Sequence, residues 1–212
     1  MELIASFIDL VLHLEVHLAE LVRQHGPWIY AILFAIIFAE TGLVVTPILP
    51  GDSLLFVAGT LAATGEMDVH LLVALLVVAA ILGNSTNYAI GHWLGKTFFR
   101  DRGSRWLNPE YLERTHAFYE KHGGMAVVIS RFVPIIRTYV PFVAGLGAMT
   151  PGRFTLYNVG GAVAWIASLT YAGYFFGNIP WVKQNLSFII LAILVVSVVP
   201  IAVGAIRARG KR

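Results

Sequence analysis

The chain has 212 residues, of which 58% are hydrophobic and only 13% are charged, with a formal net charge of +3. A soluble globular domain carries about 25% charged residues, and the mean hydropathy here is +0.75, so the composition excludes an ordinary soluble domain and indicates an integral membrane protein. The lack of cysteine excludes disulfides and cysteine-based metal sites.

The first segment, residues 1–25, has the pattern of an amphipathic helix. Within residues 2–24, acidic and histidine side chains recur every three or four positions, and leucines occupy the opposite side. This pattern favours a helix at the membrane interface or packed on a helix bundle, and leaves open whether the helix crosses the membrane. Gly26 and Pro27 are expected to end it.

An apolar stretch, residues 28–63, follows and is interrupted by TPILPGD at 46–52. Pro47 and Pro50 lack a backbone donor and Gly51 adds freedom, so a continuous helix is not expected here. Each half is short for crossing about 30 Å of hydrocarbon. We therefore expect a re-entrant hairpin of two half-helices, with its tip shielded by protein or facing a water-filled cavity.

Three further segments, 71–95, 154–177 and 186–206, are long and apolar enough to cross the membrane. Each is predicted to be helical, because a spanning helix satisfies its own backbone hydrogen bonds in lipid.

Charge is divided unevenly along the chain. Residues 1–95 contain eight acidic and one basic residue, whereas residues 96–212 contain four acidic and fourteen basic residues. The bases concentrate in a loop and amphipathic helix at 96–123 and in the tail at 207–212. By the positive-inside rule both segments face the cytoplasm, so we interpret these bases as topology signals and predict no nucleic-acid binding.

A second broken apolar stretch, residues 124–149, contains Arg131 and Arg137 together with Pro134 and Pro141. Both prolines are predicted to break the helix, which gives a second hairpin.

An internal repeat relates the two hairpins. Phe-Val-Ala-Gly occurs at 56–59 and again at 142–145, each time after a proline-broken segment and before a span that ends in G-x-x-x-G. One crossing separates the hairpins, so they are predicted to enter from opposite faces. The predicted fold is therefore an all-α membrane protein with an inverted-topology repeat of two re-entrant hairpins, about three full transmembrane helices and interfacial helices. The membrane domain is placed at 26–180, and a last helix with a basic tail at 181–212.

Four charged residues lie inside the broken stretches: Glu40 and Asp52 in the first, Arg131 and Arg137 in the second. Each would cost about 2.5–3.5 kcal/mol at the bilayer centre, so they are expected to be paired, hydrated or neutralised. The arginines could hold a phosphate through forked hydrogen bonds. Burial favours the neutral form of a carboxylic acid, so Glu40 could load and release a proton. Asp52 could be a second proton site or only a helix cap, and a purely structural set of ion pairs is the alternative.

Other polar residues carry weaker signals. Asn84, Asn87 and Tyr88 could line a cavity, although asparagine in a membrane helix also serves as an interhelical contact. The histidines show no metal-ligand spacing, so no metal site is predicted. The five tryptophans, Trp165 among them, mostly fall near the expected membrane interfaces, where aromatic belts form without functional meaning.

The chain resembles the DedA family of bacterial inner-membrane proteins in four segments: FAETG (38–42), PILPGD (47–52), SRFVPIIRT (130–138) and PFVAGLGAM (141–149). That family shares a domain with eukaryotic lipid scramblases of autophagy. The resemblance covers roughly residues 28–180. It implies required acids at Glu40 and Asp52 and required arginines at Arg131 and Arg137.

The resemblance further implies a role in membrane homeostasis linked to the proton motive force, with undecaprenyl phosphate or a phospholipid as the substrate. We therefore expect a lipid transporter or flippase in the bacterial cytoplasmic membrane, with a cytoplasmic C-terminus, membrane lipids as partners, and no cofactor besides the proton gradient. A homo-oligomer is compatible with this expectation. The alternatives are a proton-coupled antiporter of small cations or drugs and an intramembrane lipid phosphatase, which is disfavoured because residues 125–149 contain no histidine nucleophile.

Overall fold

The computed structural model describes residues 14–43, 51–100, 123–147 and 149–185, together with 188, 189 and 192. Throughout this part of the chain the regular structure is helical, without strands. Some predicted features lie outside it: the break residues Pro47 and Pro50, almost all of the basic loop and its helix, nearly all of the last span, and the basic tail.

The described residues form eight helices. In chain order they are α1 Leu14–His25, α2 Trp28–Gly42, α3 Gly51–Ala63, α4 Val69–Arg100, α5 over residues 123–130, α6 Pro134–Leu146, α7 Pro151–Phe176 and α8 Pro180–Gln184. Helices α4 and α7 are long and apolar enough to cross a membrane, as predicted for 71–95 and 154–177. Large apolar side chains remain exposed on both, such as Leu82 and Leu156, which suits contact with lipid tails.

The amphipathic pattern of the first segment is present in α1. Leu18 and Val22 are buried on one side of this helix, while Glu20 and Arg23 are exposed on the other. Gly26 ends the helix with a φ of +51°, a conformation that glycine adopts without strain.

The two predicted breaks differ in detail. Helix α2 ends at Gly42 and α3 begins at Gly51, on either side of the first break. In the second stretch the chain leaves the helical conformation at residues 131–133, and Pro134 starts α6, where its missing N–H is not needed.

Helix α6 continues through Pro141, so the prediction of a break at this proline was wrong. Proline cannot donate to the carbonyl four residues earlier, but a neighbouring helix supplies a donor nearby. The side-chain amide of Asn87 on α4 donates to the Thr138 carbonyl at 2.7 Å. This bond anchors α6 to α4 one residue after Arg137, whose carbonyl cannot receive a helical donor from Pro141. Whether either broken stretch is re-entrant in the membrane stays a prediction.

The chain divides into two compact units. The first contains the described residues of Met1–Phe34, Ile48–Leu76 and Ile166–Arg212, and the second contains those of Ala35–Pro47 and Val77–Trp165. Helices α2, α4 and α7 each contribute one part to each unit.

In the first unit, α3 is buried along almost its whole length and packs closely on the second part of α7. A Cβ atom at Gly59 would lie 2.0 Å from the Thr170 carbonyl oxygen, and one at Gly173 would lie 2.0 Å from the Phe56 carbonyl oxygen. Only glycine permits this approach, so these positions set the distance between the helices. Helix α1 also packs against α3.

The second unit repeats this contact between α6 and the second part of α4. A Cβ atom at Gly145 would lie 2.1 Å from the Tyr88 carbonyl oxygen, and one at Gly91 would lie 2.1 Å from the Phe142 carbonyl oxygen. The repeated Phe-Val-Ala-Gly segment thus corresponds to a repeated helix contact. The opposite orientation of the two copies in the membrane stays a prediction.

Candidate functional site

The buried charged side chains described in the second unit come from three different parts of its fold. Glu40 lies in the last turn of α2, Arg131 in the turn after α5, and Arg137 in the first turn of α6. Their exposed fractions are 0%, 1% and 3%, respectively. The second broken stretch therefore places Arg131 in the turn before α6 and Arg137 in the first turn of α6, both inside the unit and away from its surface.

Glu40 and Arg137 form a buried ion pair. The Nη2 atom of Arg137 donates to Oε1 of Glu40. The guanidinium carbon also lies 5.0 Å from the centre of the Trp165 ring on α7, within the range of a cation–π contact. The structure thus joins an acid of the first broken stretch to an arginine of the second.

Arg131 is held differently, by neutral groups. Its Nη2 atom donates to Oδ1 of Asn158 at 2.5 Å and lies 3.3 Å from the carbonyl oxygen of Ala80. Among the described residues, its Nη1 and Nε atoms have no hydrogen-bond acceptor. A buried cation is therefore left with donor capacity that the surrounding protein does not use.

Two of the three residues predicted to line a cavity, Asn84 and Asn87, lie beside these charges. With its amide oriented to suit its neighbours, Asn84 accepts a hydrogen bond from Nη2 of Arg131 at 2.9 Å and donates to the Thr41 carbonyl at 3.2 Å. Asn87 donates to the Thr138 carbonyl, and its own Oδ1 has no donor among the described residues. Both are fully enclosed and belong to the polar cluster around the arginines.

Tyr88, the third residue predicted to line a cavity, packs in an apolar core. Its hydroxyl donates to the Met149 carbonyl, and its ring stacks on Phe154 with centroids 4.2 Å apart. These residues form an apolar core with Val127 and Ala144.

Asp52 belongs to the first unit. It is partly buried in the first turn of α3, where a negative charge interacts favourably with the helix dipole. The helix begins one residue earlier, at Gly51, so Asp52 lies inside the helix and not at the position before it. Its role as a second proton site stays a prediction.

The sequence interpretation missed two residues of the cluster, Asn158 and Trp165. Asn158 fixes Arg131 and also donates from Nδ2 to the Ile81 carbonyl at 3.1 Å. Trp165 is only 1% exposed, so its assignment to an interfacial belt was wrong. The available signal was their spacing, because residues seven apart lie on the same face of a helix.

The other described tryptophans, Trp28, Trp93 and Trp181, are well exposed, as expected for an aromatic belt. Among the described residues, no three histidine, aspartate or glutamate side chains lie close enough together to hold a metal ion. A guanidinium group can bind an anion, and a carboxylic acid can exchange a proton.

The chain is similar to a known protein family and to several known membrane proteins. The family model of the VTT domain matches residues 49–175 of this chain. The chain is 54% identical to Protein DedA of Escherichia coli strain K12 over 209 residues, which cover 98% of this chain and 95% of that protein. It is 43% identical to a membrane protein of Mycobacterium leprae over 80% of this chain and 76% of the relative.

A further relative is the inner membrane protein YqjA of Escherichia coli strain K12. It is 40% identical over 152 residues, which cover 72% of this chain and 69% of the relative. No solved structure matches the chain.

Proposed function

Because the chain belongs to the DedA family of VTT-domain membrane proteins, we propose that it moves an anionic lipid phosphate across the cytoplasmic membrane, driven by the proton motive force. The substrate would be undecaprenyl phosphate or a phospholipid. The observation that carries the proposal is the charge of the buried cluster, in which two guanidinium groups, of Arg131 and Arg137, accompany one carboxylate, of Glu40. The cluster therefore has one positive charge in excess when Glu40 is ionised.

Arg131 is the residue best suited to receive the phosphate. An arginine buried without a counter-charge is costly in a membrane protein, and an anionic ligand removes that cost. Its Nη1 and Nε atoms have no acceptor among the described residues, while Asn158 and Asn84 orient the guanidinium group. Phosphate oxygens are strong acceptors for such donors.

Glu40 is the proposed proton carrier. It is the only acidic side chain among the described residues of the second unit, and it is fully buried. Protonation would weaken its ion pair with Arg137 and make that guanidinium group available to the lipid phosphate. Asp52 is proposed as a second proton site that serves the first unit.

The test is lipid movement in liposomes that contain the purified full-length chain. A fluorescent phosphatidic acid and a fluorescent polyprenyl monophosphate are placed in one leaflet, and their appearance in the other is followed with and without a pH gradient. We expect movement that the gradient accelerates, and a loss of at least about tenfold in Arg131→Ala and in Arg137→Ala. Arg23→Ala is the matched control, because Arg23 is an exposed arginine of α1.

Failure of both lipids to move in the wild-type chain would overturn the proposal. Flux of a soluble cation that persists in Arg131→Lys and Arg137→Lys would instead favour the antiporter, in which the arginines have only a structural role.

A further inference from the structure

The Glu40–Arg137 ion pair bears on how proton and phosphate are coupled. We propose that a lipid phosphate and Glu40 exchange places at Arg137, and that Glu40 takes up one proton when a phosphate monoester binds but none when a phosphodiester binds. This inference rests on the proposed function. It adds the coupling step and the class of phosphate that drives it.

The exchange follows from the shared donor. Nη2 of Arg137 donates to Oε1 of Glu40, so a phosphate oxygen that takes this donor breaks the hydrogen bond to the carboxylate. Glu40 has an exposed fraction of 0%, and a buried carboxylate that loses its cation is driven to its neutral form. The proton comes from water and forms an O–H bond on the carboxylate. The phosphate keeps its own charge.

Arg137 can change partners without leaving its place. The ring of Trp165 lies against its guanidinium group at 5.0 Å and does not compete for its hydrogen-bond donors. The buried charged side chains described in the second unit are those of this pair and of Arg131. Among the second-unit residues whose side chains are described, the other ionisable groups belong to His92, Arg153 and the tyrosines.

The count of charges separates two classes of lipid. With Glu40 ionised, the cluster of Glu40, Arg131 and Arg137 carries one net positive charge, which matches the single negative charge of a phosphodiester. With Glu40 protonated it carries two, which matches a monoester dianion, whose second pKa is about 6. A diester can therefore bind at Arg131 while the Glu40–Arg137 pair stays intact, whereas a monoester needs both arginines and one proton.

Calorimetry of lipid binding tests this inference. The full chain in detergent is titrated at pH 8 with short-chain phosphatidic acid, a monoester, and with phosphatidylglycerol of the same chain length, a diester. Comparison of two buffers with different ionisation enthalpies gives the number of protons bound. We expect about one proton for phosphatidic acid and about none for phosphatidylglycerol, and an apparent Kd for phosphatidic acid that rises about tenfold per pH unit between pH 7 and 9.

Two variants identify the proton acceptor. Glu40→Gln should bind phosphatidic acid without proton uptake and with a Kd that varies little with pH. Glu66→Gln, which removes an exposed acid of the first unit, should behave like the wild type. Proton uptake that survives in Glu40→Gln would place the proton on the phosphate and overturn the inference.

Equal proton uptake with both lipids, or none with either, would also overturn it. In all of these cases the lipids still bind, so the proposed function survives. Absence of binding by both lipids, together with absence of movement in liposomes, would contradict the proposed function itself.

Discussion

The two units of this protein share one helix contact but differ in what they bury. In each, a Phe-Val-Ala-Gly segment meets a glycine of a long helix at the same close distance: Gly59 and Gly173 in the first unit, Gly145 and Gly91 in the second. The buried polar side chains described in the first unit carry only hydroxyl groups, on Ser53, Thr60 and Thr170.

The second unit buries a carboxylate, two guanidinium groups and three amides in addition to hydroxyl groups; these are Glu40, Arg131, Arg137, Asn84, Asn87 and Asn158. The repeated contact is therefore sufficient to build the scaffold without buried charge. Replacing a buried ion pair with apolar residues is often neutral or stabilising. We therefore infer that the buried charges of the second unit serve a purpose other than stabilising the fold.

The largest expected effect comes from breaking the buried pair. Arg137→Ala should destabilise the protein by about 3–5 kcal/mol, because it leaves the Glu40 carboxylate without its cation. The double variant Glu40→Leu with Arg137→Met should recover most of that loss yet move no lipid. Unfolding in mixed micelles and lipid movement in liposomes measure the two properties separately.

The matched control is Thr60→Val in the first unit, which removes a hydrogen bond of 3.1 Å to the Phe56 carbonyl. It should cost only about 1 kcal/mol and preserve lipid movement. A double variant that still moves lipid would show that the ion pair is structural and that the difference between the units has no functional meaning.

A smaller effect is expected at Asn158, which holds Arg131. Asn158→Leu should destabilise the protein by about 1.5–3 kcal/mol, the usual range for a hydrogen bond to a charged group. Asn158→Asp should keep or raise stability, because it gives Arg131 a carboxylate, but it should weaken phosphatidic acid binding by removing the excess positive charge. Binding by Asn158→Asp as tight as that of the wild type would contradict the assignment of Arg131 to the phosphate.

The shared helix contact can be tested with matched alanine substitutions. Gly59→Ala and Gly145→Ala should each cost about 1–3 kcal/mol, because the new Cβ meets backbone atoms that cannot move aside. Gly160→Ala on α7 is the control, since nothing lies within 4 Å of its Cβ position. Stability measurements that show a large loss in only one unit would mean that the two contacts are not equivalent.

The smallest effect concerns Asp68, an exposed acid at the start of α4 in the first unit. The Leu71 backbone N–H donates to its carboxylate at 2.8 Å and holds the pKa of Asp68 below its ordinary value. Because its pKa is lowered in the folded state, the carboxylate stabilises the fold at pH values above its ordinary pKa. This stabilisation is lost as the pH falls through the lowered pKa. Thermal unfolding at pH 7 and at pH 3 should show a larger loss in the wild type than in Asp68→Asn. An equal loss would show that the cap contributes no pH dependence.

The membrane helices and the repeat could be predicted from the sequence because they depend on local properties. Helices α4 and α7 follow from the length of their apolar runs, and the repeated Phe-Val-Ala-Gly segment indicated the contact that both units share. Pro141 could not be interpreted in this way, since the packing that holds α6 together, such as its contact with Asn87, comes from another helix.

The candidate site could be predicted in part. The charges of Glu40, Arg131 and Arg137 were conspicuous in apolar surroundings, so the sequence identified them as residues that need partners. Their partners could not be assigned from spacing, because Glu40 and Arg137 are 97 positions apart in the chain. The spacing of Asn158 and Trp165 places them on one face of α7, but it does not show that this face meets the two arginines.

By itself, the sequence determined the class of the protein, the two stretches in which helices are interrupted, and which charged side chains lie within apolar segments. Hydropathy and the conformational restriction imposed by proline depend on a few neighbouring residues, so the sequence alone is enough to identify them. Only the tertiary structure decided that Glu40 pairs with Arg137, that neutral amides hold Arg131, and that the two repeats bury different chemistry. These choices depend on distances between helices far apart in the chain, which packing sets.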